Sequence, residues 1–103
     1  MPAYAIGRLQ IRDRSWMEKY GATVPSIIAR HGGRYLVRGG KMEILEGDTA
    51  LPSSIVLIEF PTMAAARAYY NDPDYAAFIE LRKAGSDLDF VLVEGLGAAA
   101  PAA

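Results

Sequence analysis

The sequence predicts an α+β fold in the order β-α-β-β-α-β, built on a four-stranded antiparallel sheet. Three observations lead there. First, Ser54-Ile55-Val56-Leu57-Ile58-Glu59-Phe60 and Leu88-Asp89-Phe90-Val91-Leu92-Val93 carry apolar residues at consecutive positions. Second, two stretches between strand-like segments repeat their apolar residues at helical spacing. Third, Gly-Gly, Asp-Pro and Pro-Ser pairs punctuate the chain where elements should end.

Tyr4 to Ile11 alternates, with Ala5, Gly7, Leu9 and Ile11 on one face and Tyr4, Ile6, Arg8 and Gln10 on the other. This is the first strand. Asp13 then offers an N-cap oxygen to a helix, in which Trp16, Tyr20, Val24, Ile27, Ile28 and His31 form one stripe. Pro25 lies inside that stripe and its ring presses on the carbonyl of Gly21, so a kink or short break is expected. His31-Gly32-Gly33 ends the helix. Arg34 to Val37 is a second strand, which Gly39-Gly40 should bend before it resumes from Lys41 to Leu45. Ser54 to Phe60 is the third strand. Thr62 caps a helix bearing Ala66, Tyr69 and Tyr70, and Asp72-Pro73 restarts it. Tyr75, Phe78, Ile79 and Arg82 continue one face as far as Gly85. Asp87 to Glu94 is the last strand.

This order is the split βαβ, or ferredoxin-like, arrangement. Right-handed crossovers put the helices on one side of the sheet, so its other side exposes a large apolar patch, which rarely stays bare on a soluble monomer. At ~25 cal/mol per Å², hiding several hundred Å² of apolar surface contributes on the order of 10 kcal/mol. A homodimer closed through the sheet faces is therefore expected.

The bulk properties narrow the function classes. A chain of 103 residues suits a single domain. Its extent is read as 1–96, with the Ala-rich stretch 97–103 as a flexible tail. The composition, 51% hydrophobic and 22% charged, excludes wholesale disorder. With 11 basic and 12 acidic side chains the net charge is -1, which offers nucleic acid or an anionic membrane no attraction. Arg30, Arg34, Arg38 and Lys41 form a basic run, but Glu43, Glu46 and Asp48 follow it. The absence of cysteine removes disulfides and thiolate chemistry and fits a reducing cytosol. Met1-Pro2-Ala3-Tyr4 lacks the character of a secretory signal, and no apolar run approaches the ~20 residues that span a bilayer. A cytoplasmic protein is expected.

The segment His31-Gly32-Gly33-Arg34-Tyr35-Leu36-Val37-Arg38-Gly39-Gly40, with Glu43-Ile44-Leu45-Glu46-Gly47-Asp48 after it, resembles a recurring bacterial motif. Ile58-Glu59-Phe60-Pro61-Thr62, Ala66-Arg67-Ala68-Tyr69-Tyr70 and Val91-Leu92-Val93-Glu94-Gly95 follow in the same order. Together they are similar to the family known as domain of unknown function 1330, over nearly all of residues 3–96. The resemblance implies the dimeric α/β-barrel superfamily, in which two ferredoxin-like sheets face each other. That superfamily includes cofactor-free quinone-forming monooxygenases, muconolactone isomerases, polyketide cyclases and haem-dependent chlorite-degrading enzymes. The family itself has no established activity.

Several residues invite a chemical role. His31, the only histidine, is a candidate general acid or base, although a histidine at a helix C-terminus also suits the helix dipole and the last carbonyls. One histidine and no cysteine argue against a zinc site. A haem ligand through His31 has no other support, and no cofactor is expected. Arg8 and Gln10 on the first strand, Arg38 on the second and Glu59 on the third form the more interesting group. If they share the sheet face away from the helices, the arginines could clamp a carboxylate or enolate, and Glu59 could abstract a proton. The competing reading is an Arg38–Glu59 ion pair that only neutralises buried charge. Of Tyr69 and Tyr70, one should pack into the core and the other show its hydroxyl, with Tyr69 taken as a ligand contact.

Phosphate-loop and dinucleotide motifs are absent: Gly40-Lys41 is followed by Met42, and the glycine spacing is wrong. The function expected is a small homodimer that binds a small organic molecule at the sheet face, with cofactor-independent proton-transfer or monooxygenase-type chemistry. The alternative is a non-catalytic interaction module with a packed interface.

Overall fold

The computed structural model describes residues 1–97. Of the tail expected over 97–103, only Gly97 falls among them. The elements are β1 (Ala3–Ile11), α1 (Met17–Arg30), β2 (Arg34–Arg38), β3 (Ser54–Phe60), α2 (Met63–Tyr70), α3 (Pro73–Gly85) and β4 (Ser86–Glu94). The four strands form one antiparallel sheet in the order β2-β3-β1-β4. This is the predicted βαββαβ arrangement, with the second helix restarted once.

The central strand β1 alternates between buried Ala3, Ala5, Gly7 and Leu9 and more exposed Tyr4, Ile6, Arg8 and Gln10. Its buried side is lined by small residues, which lets the helix layer come close to the middle of the sheet. Val24, Ile27 and Ile28 of α1, Ile58 and Phe60 of β3, and Tyr69 and Tyr75 from α2 and α3 make the core on that side. Specific devices start α2 and α3 and stop α1. Thr62 accepts a hydrogen bond from the Ala65 N–H, and Asp72 accepts one from the Asp74 N–H, as expected of N-caps. At the end of α1, Gly32 N–H donates to the Ala29 carbonyl and Gly33 N–H to the Ile28 carbonyl, the paired bonds of a Schellman stop.

Across the open side of the sheet the register sets Val37 beside Leu57, Leu57 beside Ile6, and Ile6 beside Val91. One apolar row thus crosses all four strands with no helix above it. Val91 and Val93 remain 60% and 45% exposed and Ile6 39%. The polar pairs Arg34–Glu59 and Arg8–Asp89 flank this row in the adjoining registers.

Four local expectations are corrected. Asp13 does not cap α1; its carboxylate accepts hydrogen bonds from the Ser15 N–H and hydroxyl at 2.9 and 3.0 Å, closing a turn ahead of a helix that begins at Met17. The helix runs unbroken through Pro25. No strand forms over Lys41–Leu45: Gly39 and Gly40 take φ of +80° and +98°, which turns the chain away once Gly39 N–H has bonded to the Ile55 carbonyl. The bulge lies earlier instead, in a register shift between Tyr35 and Val37 that leaves Leu36 as the extra residue.

The α3–β4 junction is tightly packed. The Arg12 and Asp13 amides both donate to the Gly85 carbonyl, and Trp16 lies against Gly85. A Cβ at Gly85 would come within 2.8 Å of both the Asp13 carbonyl oxygen and Trp16 Nε1. Backbone cannot retreat as a flexible side chain can, so Gly85→Ala should destabilise the fold by about 1–3 kcal/mol. The expected observation is a lower urea midpoint with an unchanged denaturant slope.

Candidate functional site: a cleft between the helix layer and the sheet

The helices do not cover the sheet evenly. Between α1, α3 and the β2–β3 side of the sheet lies a cleft of about 470 Å³. Its floor is apolar, from Val56 and Ile58 of β3 and Leu88 and Phe90 of β4. Trp16, Met17 and Tyr20 form its upper wall, Tyr35 and Arg38 of β2 one side, and Tyr69 and Arg82 the deep end. Gly39, Ser53 and Ser54 bound it where the β2–β3 loop leaves and rejoins the sheet. An apolar chamber of this size with a few polar groups has the usual character of a small-ligand site. A second hollow of about 320 Å³ lies beyond Tyr69 and Phe90, between α2 and β4.

Aromatic packing shapes the cleft. Tyr69 stacks on Tyr75 at 4.5 Å between ring centroids and on Phe60 at 5.3 Å. The Tyr20 and Tyr75 hydroxyls share a hydrogen bond of 2.5 Å, and Trp16 meets Tyr20 edge to face at 5.2 Å. Burial raises the pKa of Tyr20, Tyr69 and Tyr35 above the ordinary tyrosine value. At neutral pH these three hydroxyls are therefore protonated and can donate hydrogen bonds.

Three arginines reach the cleft and no carboxylate lines it. Arg14 contacts the Met17 sulfur at 3.7 Å. Arg38 sits over the Tyr35 ring, 4.8 Å from its centroid, a favourable cation–π geometry. Arg82 is only 4% exposed, and its Nε and Nη1 meet no hydrogen-bond acceptor among the described residues. The Trp16 indole N–H, also buried, is likewise unpartnered.

The residues singled out from sequence fall in three places. Arg38 and Tyr69 line the cleft. Arg8, Gln10 and Glu59 lie on the opposite, open face of the sheet. There Arg8 donates to the Ala50 carbonyl at 3.2 Å and Gln10 Oε1 accepts from the Ser53 hydroxyl at 3.2 Å. Glu59 pairs with Arg34 at 3.1 Å and accepts from the Tyr4 hydroxyl at 3.2 Å. The anticipated grouping of Arg38 with Glu59 is thus corrected: the partner of Glu59 is Arg34. The bulge at Leu36 is the cause, because one extra residue in β2 sends Arg34 and Arg38 to opposite faces, where strict alternation would keep them together. The larger cavity is correspondingly on the helix side of the sheet and not on the open face.

His31 lies apart from both groups, at the end of α1. Its Nε2 is 2.8 Å from Asp72 Oδ2, and Arg30 bridges Asp72 and Asp74 at 3.0 Å each. The cluster ties α1 to the cap of α3. Asp72 is held below its ordinary pKa, first by the hydrogen bond with His31 and then by the Asp74 amide.

Sequence reasoning passed over Arg82 as a site residue, although the signal was present. It stands seven residues after Tyr75 and three after Ile79, on the apolar face of α3, where an unpaired charge is out of place.

A single antiparallel sheet covered on one side by helices, with a cleft between the layers, is the fold of the ferredoxin-like, dimeric α/β-barrel class. Within it, the chain belongs to the family described as domain of unknown function (DUF1330), whose model matches residues 2–96. The structure is similar to that of a protein of unknown function from Rhodopseudomonas palustris, with a TM-score of 0.78 at 19% identity over 93% of this chain and 83% of that one. It is also similar to SnoaB, a cofactor-independent oxygenase from Streptomyces nogalater, with a TM-score of 0.63 at 13% identity over 95% and 96%. A ferredoxin-like DABB-family protein from Mesorhizobium loti matches with a TM-score of 0.57 at 14% identity over 93% and 98%. At these identities the likeness is one of fold. No curated protein is close enough in sequence to match. No helix among the described residues is long and apolar enough to cross a membrane.

The Asp72 cluster carries a pH signature. Because the folded-state pKa is depressed, its contribution to stability is fully present above the ordinary value of 3.8 and is lost as pH falls through the lower folded value. Asp72→Asn, which keeps a capping oxygen but not the charge, should be less stable near neutrality and should lose less stability on acidification. Melting temperatures recorded from pH 7 down to pH 2 will show the two curves converging at the acid end.

Proposed function

We propose that this protein is a homodimer, paired through its open sheet faces, whose protomers each bind a small organic molecule in the helix-side cleft. The observation that carries this reading is the cleft itself: an apolar, aromatic-walled chamber of about 470 Å³ into which Arg38 and Tyr69 converge. A protein that needed only a packed core would gain by filling such a space, since unfilled volume forfeits dispersion contacts.

Pairing is supported by the bare row Val37–Leu57–Ile6–Val91, apolar from edge to edge with charged pairs on either side. That surface suits a second copy, because a two-fold axis would set each apolar row against its counterpart. In such a dimer Arg8, Gln10 and Glu59 are interface residues, able to reach the partner's sheet, rather than the floor of the ligand site.

The activity this reading favours is cofactor-independent proton-transfer or oxygenase-type chemistry on a molecule with an acidic C–H. The neighbour described as a cofactor-independent oxygenase supports it at the level of fold. The cleft's own contribution would be to hold a developing enolate with Arg38 and the protonated tyrosine hydroxyls in surroundings poor in water, where such donors act strongly.

Two measurements test the reading. Light scattering on the full chain should give twice the 11.1 kDa chain mass, and Ile6→Glu in the middle of the row should give a folded monomer. The neutral fluorophore N-phenyl-1-naphthylamine should bind saturably at one site per protomer, and Val56→Trp, which fills the floor, should abolish that binding. A dimer without saturable binding would favour the non-catalytic interaction module. A wild-type monomer would overturn the pairing.

A further inference from the structure

We infer that the ligand of the cleft is an anion, a flat organic molecule whose carboxylate or enolate oxygen is received by the guanidinium of Arg82. This rests on the cleft being the binding site and adds the charge and the orientation of what it binds.

The argument begins with an imbalance. Burying an unpaired charge costs several kcal/mol even after the surroundings relax, and buried charges are normally paired. Arg82 is 4% exposed, yet its Nε and Nη1 have no acceptor among the described residues. The other buried arrangements nearby are satisfied. Ser86 donates to the Arg82 carbonyl at 2.7 Å, and the Tyr20 and Tyr75 hydroxyls share one hydrogen bond. The unpaired donors are those of Arg82 and Trp16, and both residues line the same cleft.

The cleft also has only one sign of charge. Arg14, Arg38 and Arg82 line it, no aspartate or glutamate does, and none of the three takes part in an ion pair among the described residues. This occurs in a chain whose net charge is -1, so the excess belongs to the site and not to the protein as a whole. An apolar chamber bounded by uncompensated guanidiniums attracts an anion, and the planar guanidinium fork matches a carboxylate. The apolar floor of Val56, Leu88 and Phe90 and the ring of Tyr20 then demand that the rest of the ligand be flat and hydrophobic.

The arrangement carries a cost that can be measured. Arg82 is stable in place only when its charge is met, so the empty protein should gain stability when that charge is removed. An arginine with a merely structural role would show the opposite.

Two isosteric probes separate the possibilities: 2-naphthoate, which is anionic, and 2-naphthamide, which is neutral. By calorimetry the wild-type protein should bind naphthoate about tenfold or more tightly than naphthamide. Arg82→Met should erase that preference while leaving naphthamide binding unchanged, and it should raise the melting temperature of the unliganded protein. Arg82→Lys should keep part of the preference. Trp16 is the only tryptophan and lines the cleft, so its indole resonance reports occupancy without any substitution and should move with either probe. Equal affinity for the two probes would overturn the anion while leaving the cleft reading intact. So would a preference that survives Arg82→Met, or a variant that is less stable than wild type. Binding of neither probe would overturn the cleft reading and this inference together.

Discussion

One constraint organises this molecule: every helix lies on the same side of a sheet whose strands are apolar on both sides. Side chains alternate across a strand without exception, so Val56, Ile58 and Phe60 can be covered only if Ile55, Leu57 and Glu59 are not. The central strand resolves this asymmetrically. Its small residues, Ala3, Ala5 and Gly7, face the helices and admit the rings of Tyr69 and Phe90, while its larger residues, Tyr4 and Ile6, stand on the uncovered side. The result is a molecule with a close-packed side and a bare side, and each makes a different demand. The bare side calls for a partner surface. The packed side, where the helix layer is too narrow to close over β2 and β3, keeps a chamber.

The division of polar residues between those two sides depends on one extra residue. Leu36 interrupts the β2 ladder, so Arg34 stays with Glu59 on the bare side and Arg38 crosses to the chamber, over Tyr35. Without the bulge, Arg38 would join Arg34 and Glu59 and the chamber would lose a cation. An edge strand tolerates such a defect because only one of its sides is paired. A short, irregular edge is thus what gives the helix-side cleft its charge.

Much of the fold was legible in the sequence for reasons that can be named. Ser54–Phe60 has no polar interruption before Glu59, Thr62 and Asp72-Pro73 mark helix starts by chemistry that acts over three residues, and His31-Gly32-Gly33 marks an end the same way. Local signals were sufficient wherever the determining contacts were local. They failed where the determinant was a distant residue. Nothing in Arg34–Gly40 announces a register shift, which is set by how β2 meets β3, and so the faces of Arg34 and Arg38 were not distinguishable. Asp13 looks like a cap because the residue type is right, but the Arg12 and Asp13 amides are committed to the Gly85 carbonyl on the far side of the chain, which delays the helix to Met17. The site suffered in the same way. Arg8, Gln10 and Glu59 could be grouped because they sit on strands whose alternation was clear, whereas Arg82 was absorbed into a helix stripe. Its strangeness lies in having no partner, and the lack of a partner is a property of three-dimensional surroundings.

The chemistry of the chamber follows from what it lacks as much as from what it holds. Its lining contains arginines, tyrosines and an indole ring, and no carboxylate or imidazole. With the tyrosine pKa values raised by burial, every titratable group on its walls is a donor at neutral pH. Glu59 and His31, the candidate proton acceptors of the sequence, are engaged elsewhere, one by Arg34 and Tyr4 on the bare face and the other by Asp72 at the end of α1. On the proposed reading, such a chamber would stabilise negative charge that a ligand brings. A molecule that gives its proton to water before or as it binds needs no base from the protein, because the same field that binds the anion lowers the pKa of its conjugate acid. In that arrangement binding and activation are one electrostatic event, and the orphaned donors at Arg82 are the features of the cleft from which it follows.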